Sequence, residues 1–295
     1  MSRAGVCRAP SIWRRRDALA ILMAAPAAAW SPVSAQRSPR LVTVGGALTE
    51  IAFALGAQGQ LVGVDSTSDY PEAAQRLPRV GYMRQLSAEG VLALRPDALV
   101  ATSEAGPAAV LRQLREAGLT LRLIPVTHDW DDLQRKIEVM AEVTQRLREG
   151  QALLERLRAQ RQRLQAHVSP STRGPRALFV LAHGGSPMVA GRQTAADAVL
   201  QLMGARNAVS GYAGYRPLSA EAVLTLQPDL IVTTTQSLRA VGGEAAFWAR
   251  PEWALWPMER RRLWHDDALA LLGFGPRLPE VIERAAQAIG TWRPA

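Results

Sequence analysis

Residues Arg84 to Asp97 (Arg-Gln-Leu-Ser-Ala-Glu-Gly-Val-Leu-Ala-Leu-Arg-Pro-Asp) recur 132 positions later as Arg216 to Asp229. Ten of the fourteen positions are identical, and the alignment carries no gap. Such a repeat implies duplication, so the chain is expected to fold as two similar lobes, each holding one copy. The copies diverge just upstream: Tyr82 falls opposite Gly214, and Tyr215 lies one position out of register, opposite Met83. Whatever Tyr82 does is therefore expected of one lobe only.

Around each copy, short β-rich runs alternate with helical patterns. In the first half the strands are Leu41–Val44, Leu61–Val64, Ala98–Ala101 and Leu121–Ile124, with helices over 48–55, after Ser87, and over 108–117. Ser87 is a good N-cap, and Glu89 in the first turn suits the helix dipole. Val80 to Leu86 reads as a loop. The second half opens with strand Ala177–Leu181, followed by a helix over 194–203, strand Leu230–Val232, a helix over 251–256, strand Arg262–Trp264 and a helix over 279–289. Strands and helices at this spacing make βαβ units. The expected class is α/β, with two lobes built on mainly parallel central sheets flanked by helices. Between them, residues 129–168 hold no proline and one glycine, Gly150, and their leucines recur at helical spacing. A straight helix there would run roughly 50–60 Å, with a break expected near Glu149. A coiled-coil dimer is the competing reading; a rigid helix joining two lobes fits the position better. The expected layout is a leader over 1–35, a first lobe over 36–128, a linking helix region over 129–168 and a second lobe over 169–295.

The leader has the form of a secretory signal peptide. Five arginines precede an apolar run from Ala18 to Trp30, and Val33-Ser34-Ala35 supplies small residues for cleavage near Ala35. The Arg15-Arg16 pair also allows twin-arginine export, although the usual aromatic is missing. Loss of 1–35 removes five arginines and one aspartate and lowers the net charge from +9 to +5. That balance suits small anionic ligands and is too dilute to argue for nucleic acid. Cys7, the only cysteine, leaves with the leader and precedes the apolar run, where it cannot serve as a lipid anchor. A soluble periplasmic monomer is expected.

Motifs for catalysis are missing: there is no Gly-x-Ser-x-Gly elbow, phosphate loop, His-Glu-x-x-His or Gly-x-Gly-x-x-Gly. The four histidines show no metal-ligand spacing. An enzyme, whether haem-degrading or metal-dependent, is therefore the weaker class of reading. Two lobes joined by a helix suit a ligand carrier, whose cleft holds a small molecule and whose tips dock a transporter.

Three stretches sharpen that reading: Val64-Asp65-Ser66-Thr67-Ser68-Asp69-Tyr70-Pro71, Leu77-Pro78-Arg79-Val80-Gly81-Tyr82-Met83-Arg84, and the two Leu-Ser-Ala-Glu copies. With them the chain, over about residues 40–295, resembles the periplasmic haem-binding proteins of ABC importers. These belong to a helix-linked class that also serves cobalamin and ferric siderophores, which remain the alternative ligands. The resemblance implies haem as the transported ligand, with Tyr82 as the axial iron ligand and Arg84 as its hydrogen-bond partner. Ferric haem accepts a phenolate. A phenol of pKa ~10 needs a neighbouring cation, or the iron itself, to ionise near neutrality. Tyr70 is a rival ligand, although Tyr-Pro there also reads as loop geometry. His183, after the first strand of the second lobe, is a candidate second ligand, a contact for a second haem, or a pocket-lining residue; Met188 is a weaker one. Arg239, expected in the loop after Leu230–Val232, is a candidate propionate contact. Trp248, Trp253, Trp256 and Trp264 read mainly as core, with one of them available to stack on a porphyrin. Glu89 and Glu221 occupy equivalent helix starts. The resemblance implies that they pair with arginines of a dimeric inner-membrane permease, itself coupled to an ATPase. A linking helix further implies modest lobe motion.

Overall fold

Alternation decides which way each strand faces. In the strand Leu41–Val44 (β1), Leu41 enters one apolar core while Val42 and Val44 enter another. In Arg176–Leu181 (β7), Ala177 and Phe179 face one core and Leu178 and Val180 a second. Successive side chains of a strand point to opposite faces, so both sheets are covered on both faces, as parallel sheets require. The structure, a computed structural model, describes residues 37–167, 174–183 and 185–290. The expected signal peptide and its cleavage point lie outside the described residues. Ser38–Ala295 forms one compact unit. No helix among the described residues is long and apolar enough to cross a membrane.

The first lobe continues from β1 through α1 (Gly46–Ala54), β2 (Leu61–Val64), a short ribbon of β3 (Gly81–Tyr82) and β4 (Gln85–Leu86), α2 (Ala88–Ala93), β5 (Ala98–Thr102), α3 (Ala108–Glu116) and β6 (Thr120–Ile124). Its four-stranded sheet has the order β2-β1-β5-β6, all parallel. After α4 (Trp130–Val143) and α5 (Leu147–His167), the second lobe runs β7, β8 (Met188–Ala190), α6 (Ala195–Leu202), β9 (Arg206–Asn207), β10 (Tyr215–Pro217), α7 (Ala220–Leu226), β11 (Leu230–Thr234), α8 (Thr235–Val241), α9 (Glu244–Trp248), β12 (Leu263–Asp266), α10 (Ala268–Leu272) and α11 (Leu278–Gly290). Its sheet has the order β10-β8-β7-β11-β12, with β9 beside β7. The β7-β11-β12 part is parallel, whereas β8 and β10 add an antiparallel edge.

The repeat does the same structural work in both lobes. Asp97 accepts the Arg40 backbone N–H at 2.7 Å, and Asp229 accepts that of Arg176 at 2.8 Å. The side chains of those arginines reach back to the carbonyls of Leu94 and Leu226 at 2.7 and 2.8 Å. Each Pro-Asp end thus fastens the start of its lobe's first strand. Ser87 and Ser219 cap α2 and α7, accepting from the amides of Gly90 and Ala222 at 3.1 and 3.2 Å.

The linking region differs in detail from a single rod. The helix breaks at residues 144–146, earlier than Gly150 suggests. Gln145 is left-handed (φ 57°), and the Arg146 amide returns to Ala141 at 2.8 Å, which ends α4. Gly150 lies inside α5, where its missing side chain lets the helices approach: a Cβ there would sit 2.5 Å from that of Ala141. Leu133, Ile137 and Met140 of α4 complete the first lobe's core. The joining falls to α5, which has Leu153 and Leu157 in the first core and Leu164 in the second.

Candidate functional site

The strand ends that face each other locate the cleft. Beyond the C-terminal end of β1, the space a Cβ would need at Gly46 is occupied by Leu269 of α10, 2.7 Å away. Helix α10 follows the C-terminal end of β12, so both lobes present strand C-termini to one another, the side where open α/β sheets bind ligands.

Tyr82 sits there on a ribbon held rigid by the backbone. Gly81, at φ 102°, makes a turn that an L side chain resists. The Gly81 carbonyl accepts from the Ser66 amide at 2.8 Å, and Met83 and Leu86 exchange backbone bonds with Gly106 at 2.9 Å each. The expected loop is thus a two-stranded ribbon strapped to the segment after β5. Tyr82 is 41% exposed. Arg84 forms a 2.8 Å ion pair with Glu104, in that same segment. Arg84 thus bonds a carboxylate and not the neighbouring phenol, because a full negative charge in reach outcompetes a neutral hydroxyl. Partial burial opposes the Arg84 charge, but Glu104, Tyr82 and Tyr215 outweigh it and hold its pKa above the ordinary value. Sequence reasoning missed Glu104, since no spacing rule links it to Arg84.

The other candidates fall as follows. Tyr70 lies under a guanidinium, with the Arg277 carbon 3.7 Å from its ring centre, and is thereby engaged in a cation–π contact. His183 is exposed two residues beyond the C-terminal end of β7, and Met188 starts β8. No described contact joins either to Tyr82. Arg239 is in the last turn of α8, not in a loop; its cation there favours the helix C-terminus. The strand runs two residues further than its apolar pattern suggests, and Thr234 caps the helix directly. Trp253 and Trp256 are buried, and Trp248 packs edge-on to Phe247 and Trp253 at 5.3 and 5.2 Å. Glu89 and Glu221 are both exposed in the first turns of α2 and α7. The backbone N–H of Glu221 and the Ser219 hydroxyl hold the Glu221 carboxyl below its usual range. No group of three or more His, Cys, Asp or Glu among the described residues is placed to hold a metal ion.

A second cluster fixes the lobes to each other. Glu50 of α1 accepts from the Arg277 backbone and Nε at 3.1 and 3.0 Å, and the same guanidinium bonds Asp267 at 3.0 Å. Lys136, the only lysine of the chain, is buried beside Asp132 at 3.2 Å and donates across to the Gly273 carbonyl at 2.9 Å. After β2, Asp65 is fully buried and accepts from the Gly45 amide, the Thr67 amide and hydroxyl and the Ser68 hydroxyl, at 2.6–3.0 Å. That network explains the polar run from Asp65 to Asp69: it fixes the loop leading to Tyr70.

The sequence matches the family model described as periplasmic binding protein over residues 41–258. Among solved structures it is similar to the periplasmic heme-binding protein BhuT in complex with two hemes: 43% identity, 86% of this chain and 98% of that one covered, TM-score 0.78. A periplasmic heme-binding protein from Pseudomonas aeruginosa is 36% identical, with 88% and 95% covered and TM-score 0.78. The vitamin B12-binding protein of Yersinia pestis (strain Pestoides F) is 29% identical over 217 residues, covering 72% of this chain and 75% of that one. The chain belongs to the periplasmic binding protein family, as an ABC-importer substrate-binding protein of the class that includes haem and vitamin B12 carriers.

Proposed function

We propose that this chain carries haem through the periplasm to an inner-membrane ABC permease, with Tyr82 as the axial ligand of ferric iron in the interlobe cleft. The observation that carries the reading is the exposed Tyr82 on a backbone-strapped ribbon, with a guanidinium two residues away. Ferric iron takes a phenolate, and both the cation and the metal favour ionisation of a phenol. Similarity to two haem carriers above 35% identity supports haem over corrinoid. His183, at the C-terminal end of β7, is the candidate second ligand, and Arg239 a candidate contact for a propionate. The leader directs export with cleavage near Ala35, leaving a monomeric first lobe (36–128), link (129–168) and second lobe (169–295). Binding and release are the whole activity; no catalytic step is assigned.

Titration of the mature protein with one and then two equivalents of hemin tests the reading. The expected result is a saturable Soret shift that excess cyanocobalamin does not displace. A protein that takes up cyanocobalamin and leaves hemin free overturns it in favour of the corrinoid alternative.

Glu89 and Glu221 are the proposed docking acids, one per lobe, matched to arginines on the two permease subunits. Ser87 and Ser219 supply the caps of α2 and α7, and both glutamates stay exposed. Glu89→Arg with Glu221→Arg puts like charges across the interface, which costs several kcal/mol. Binding to the reconstituted transporter is expected to weaken by about a hundredfold or more, with the hemin titration unchanged. Equal transporter affinity in the double variant counts against docking by these acids.

A further inference from the structure

Arg84 belongs to both copies of the repeat, as Arg84 and Arg216, whereas the acid it pairs with does not. The register of the repeat runs on past Asp97 and Asp229 through the next strand. Strands β5 (Ala98–Thr102) and β11 (Leu230–Thr234) begin and end 132 positions apart. Thr102-Ser103-Glu104 therefore stands opposite Thr234-Thr235-Gln236. The carboxylate that meets Arg84 is an amide in the second lobe, and there it serves structure. Gln236 donates to Asp267 at 2.6 Å and accepts from the Ala268 amide at 2.9 Å, which fixes the start of α10. Arg216 stacks on Tyr212 instead, its guanidinium carbon 4.3 Å from the ring centre. A neutral residue is thus compatible with the fold at this position. Two features are peculiar to the first copy, the phenol of Tyr82 and the charge of Glu104, and both bear on the same arginine.

The backbone keeps Glu104 near Arg84. Met83 and Leu86, which bracket the arginine, bond Gly106, two residues after Glu104, at 2.9 Å each. The contact itself is slight: Nη2 of Arg84 meets Oε1 of Glu104 at 2.8 Å, with the two side chains 56% and 35% exposed. A guanidinium has five N–H donors, and an ion pair this exposed is weak enough to exchange partners. We propose that Glu104 competes with the Tyr82 phenolate for the Arg84 guanidinium: it holds the arginine until iron binds, yields it then, and takes it back as haem leaves. This rests on the haem reading above and adds Glu104 to it as a residue that sets affinity. A carrier must release what it binds. A guanidinium without a counter-charge would attract any small anion and hold the iron phenolate more firmly, and Glu104 restrains both.

Hemin titration, and hemin transfer to apomyoglobin, in the mature protein, Glu104→Gln, Arg84→Ala and the double variant test this. Glu104→Gln installs the residue of the second copy. It is expected to bind hemin about three- to fivefold more tightly and to release it more slowly by a similar factor. Its ferric–phenolate charge-transfer band should survive to lower pH, because a freed cation beside the phenolate favours the ionised form. In the Arg84→Ala background the same change should alter affinity by less than about twofold, since nothing remains to compete for. Unchanged melting temperatures exclude general damage; should Glu104→Gln be unstable, Glu104→Ala replaces it with the same expectations. Unchanged or weaker hemin binding in Glu104→Gln, with the band intact in wild type, overturns the proposal and leaves the haem reading standing. So does a gain that persists without Arg84, which would mean plain repulsion between Glu104 and the haem propionates. A wild-type chain that binds no hemin overturns the haem reading itself, and the role of Glu104 with it.

Discussion

Tyr82→Phe is expected to abolish the ferric–phenolate charge-transfer band and to weaken hemin binding by more than a hundredfold. The substitution removes one oxygen from a residue that is already 41% exposed, so folding is barely affected and the loss reports on the iron bond. Partners that merely hydrogen-bond a metal ligand cost about 10–100-fold in metal affinity when removed. The ligand itself must cost more. Arg84→Ala belongs to the smaller class, and its effect has two parts. It takes away the guanidinium two residues from Tyr82, and it leaves Glu104 without its 2.8 Å partner. The absorption maximum of the charge-transfer band should move in Arg84→Ala and vanish in Tyr82→Phe. Wild-type affinity and spectrum in Tyr82→Phe would remove Tyr82 from the iron.

What could be read ahead of the structure follows from the range of each signal. The repeat is local and gapless, so its two lobes, its capped helices and its single Tyr82 were visible as strings. The Pro-Asp ends were visible too, but their purpose was not. Their partners, Arg40 and Arg176, stand more than fifty residues upstream. The break between α4 and α5 escaped because Gln145 adopts a left-handed turn that glycine usually takes, while Gly150 serves close packing instead. Arg239 was misplaced because two polar threonines extend β11 and cap α8 where an apolar pattern ends. Glu104 carries no motif at all. It matters because the fold brings the segment after β5 to the Arg84 guanidinium, at 2.8 Å.

Arg277→Ala should give a large loss of stability for a substitution outside the apolar cores, because it strands a charge. Glu50 is 4% exposed and is separated from Arg277 by 227 residues of chain. Removing one partner of a buried pair costs about 3–5 kcal/mol, here at the low end, since the guanidinium is 20% exposed and water can enter. The pH dependence has a definite sign. Burial raises the Glu50 pKa above the usual carboxylate value, and Arg277 only partly pulls it back. Without Arg277 it must rise further. A carboxyl whose folded pKa is raised stabilises the fold at low pH and loses that contribution as pH climbs through the folded value. The variant's deficit, measured by urea unfolding, should therefore be smaller at pH 5, where Glu50 can take a proton, than at pH 8. Asp267 works in the same direction. Burial alone would raise its pKa; Gln236, the Ala270 amide and Arg277 together keep it low, so deleting Arg277 removes part of that restraint. The same guanidinium covers Tyr70 and joins α1 to the start of α11, which makes it a tie between lobes as well as an ion pair. Its loss should widen the spread of lobe angles seen by small-angle scattering and weaken hemin binding without moving the charge-transfer band. A variant as stable as wild type at pH 8 would mean that the lobes are held by α5 and Lys136 alone.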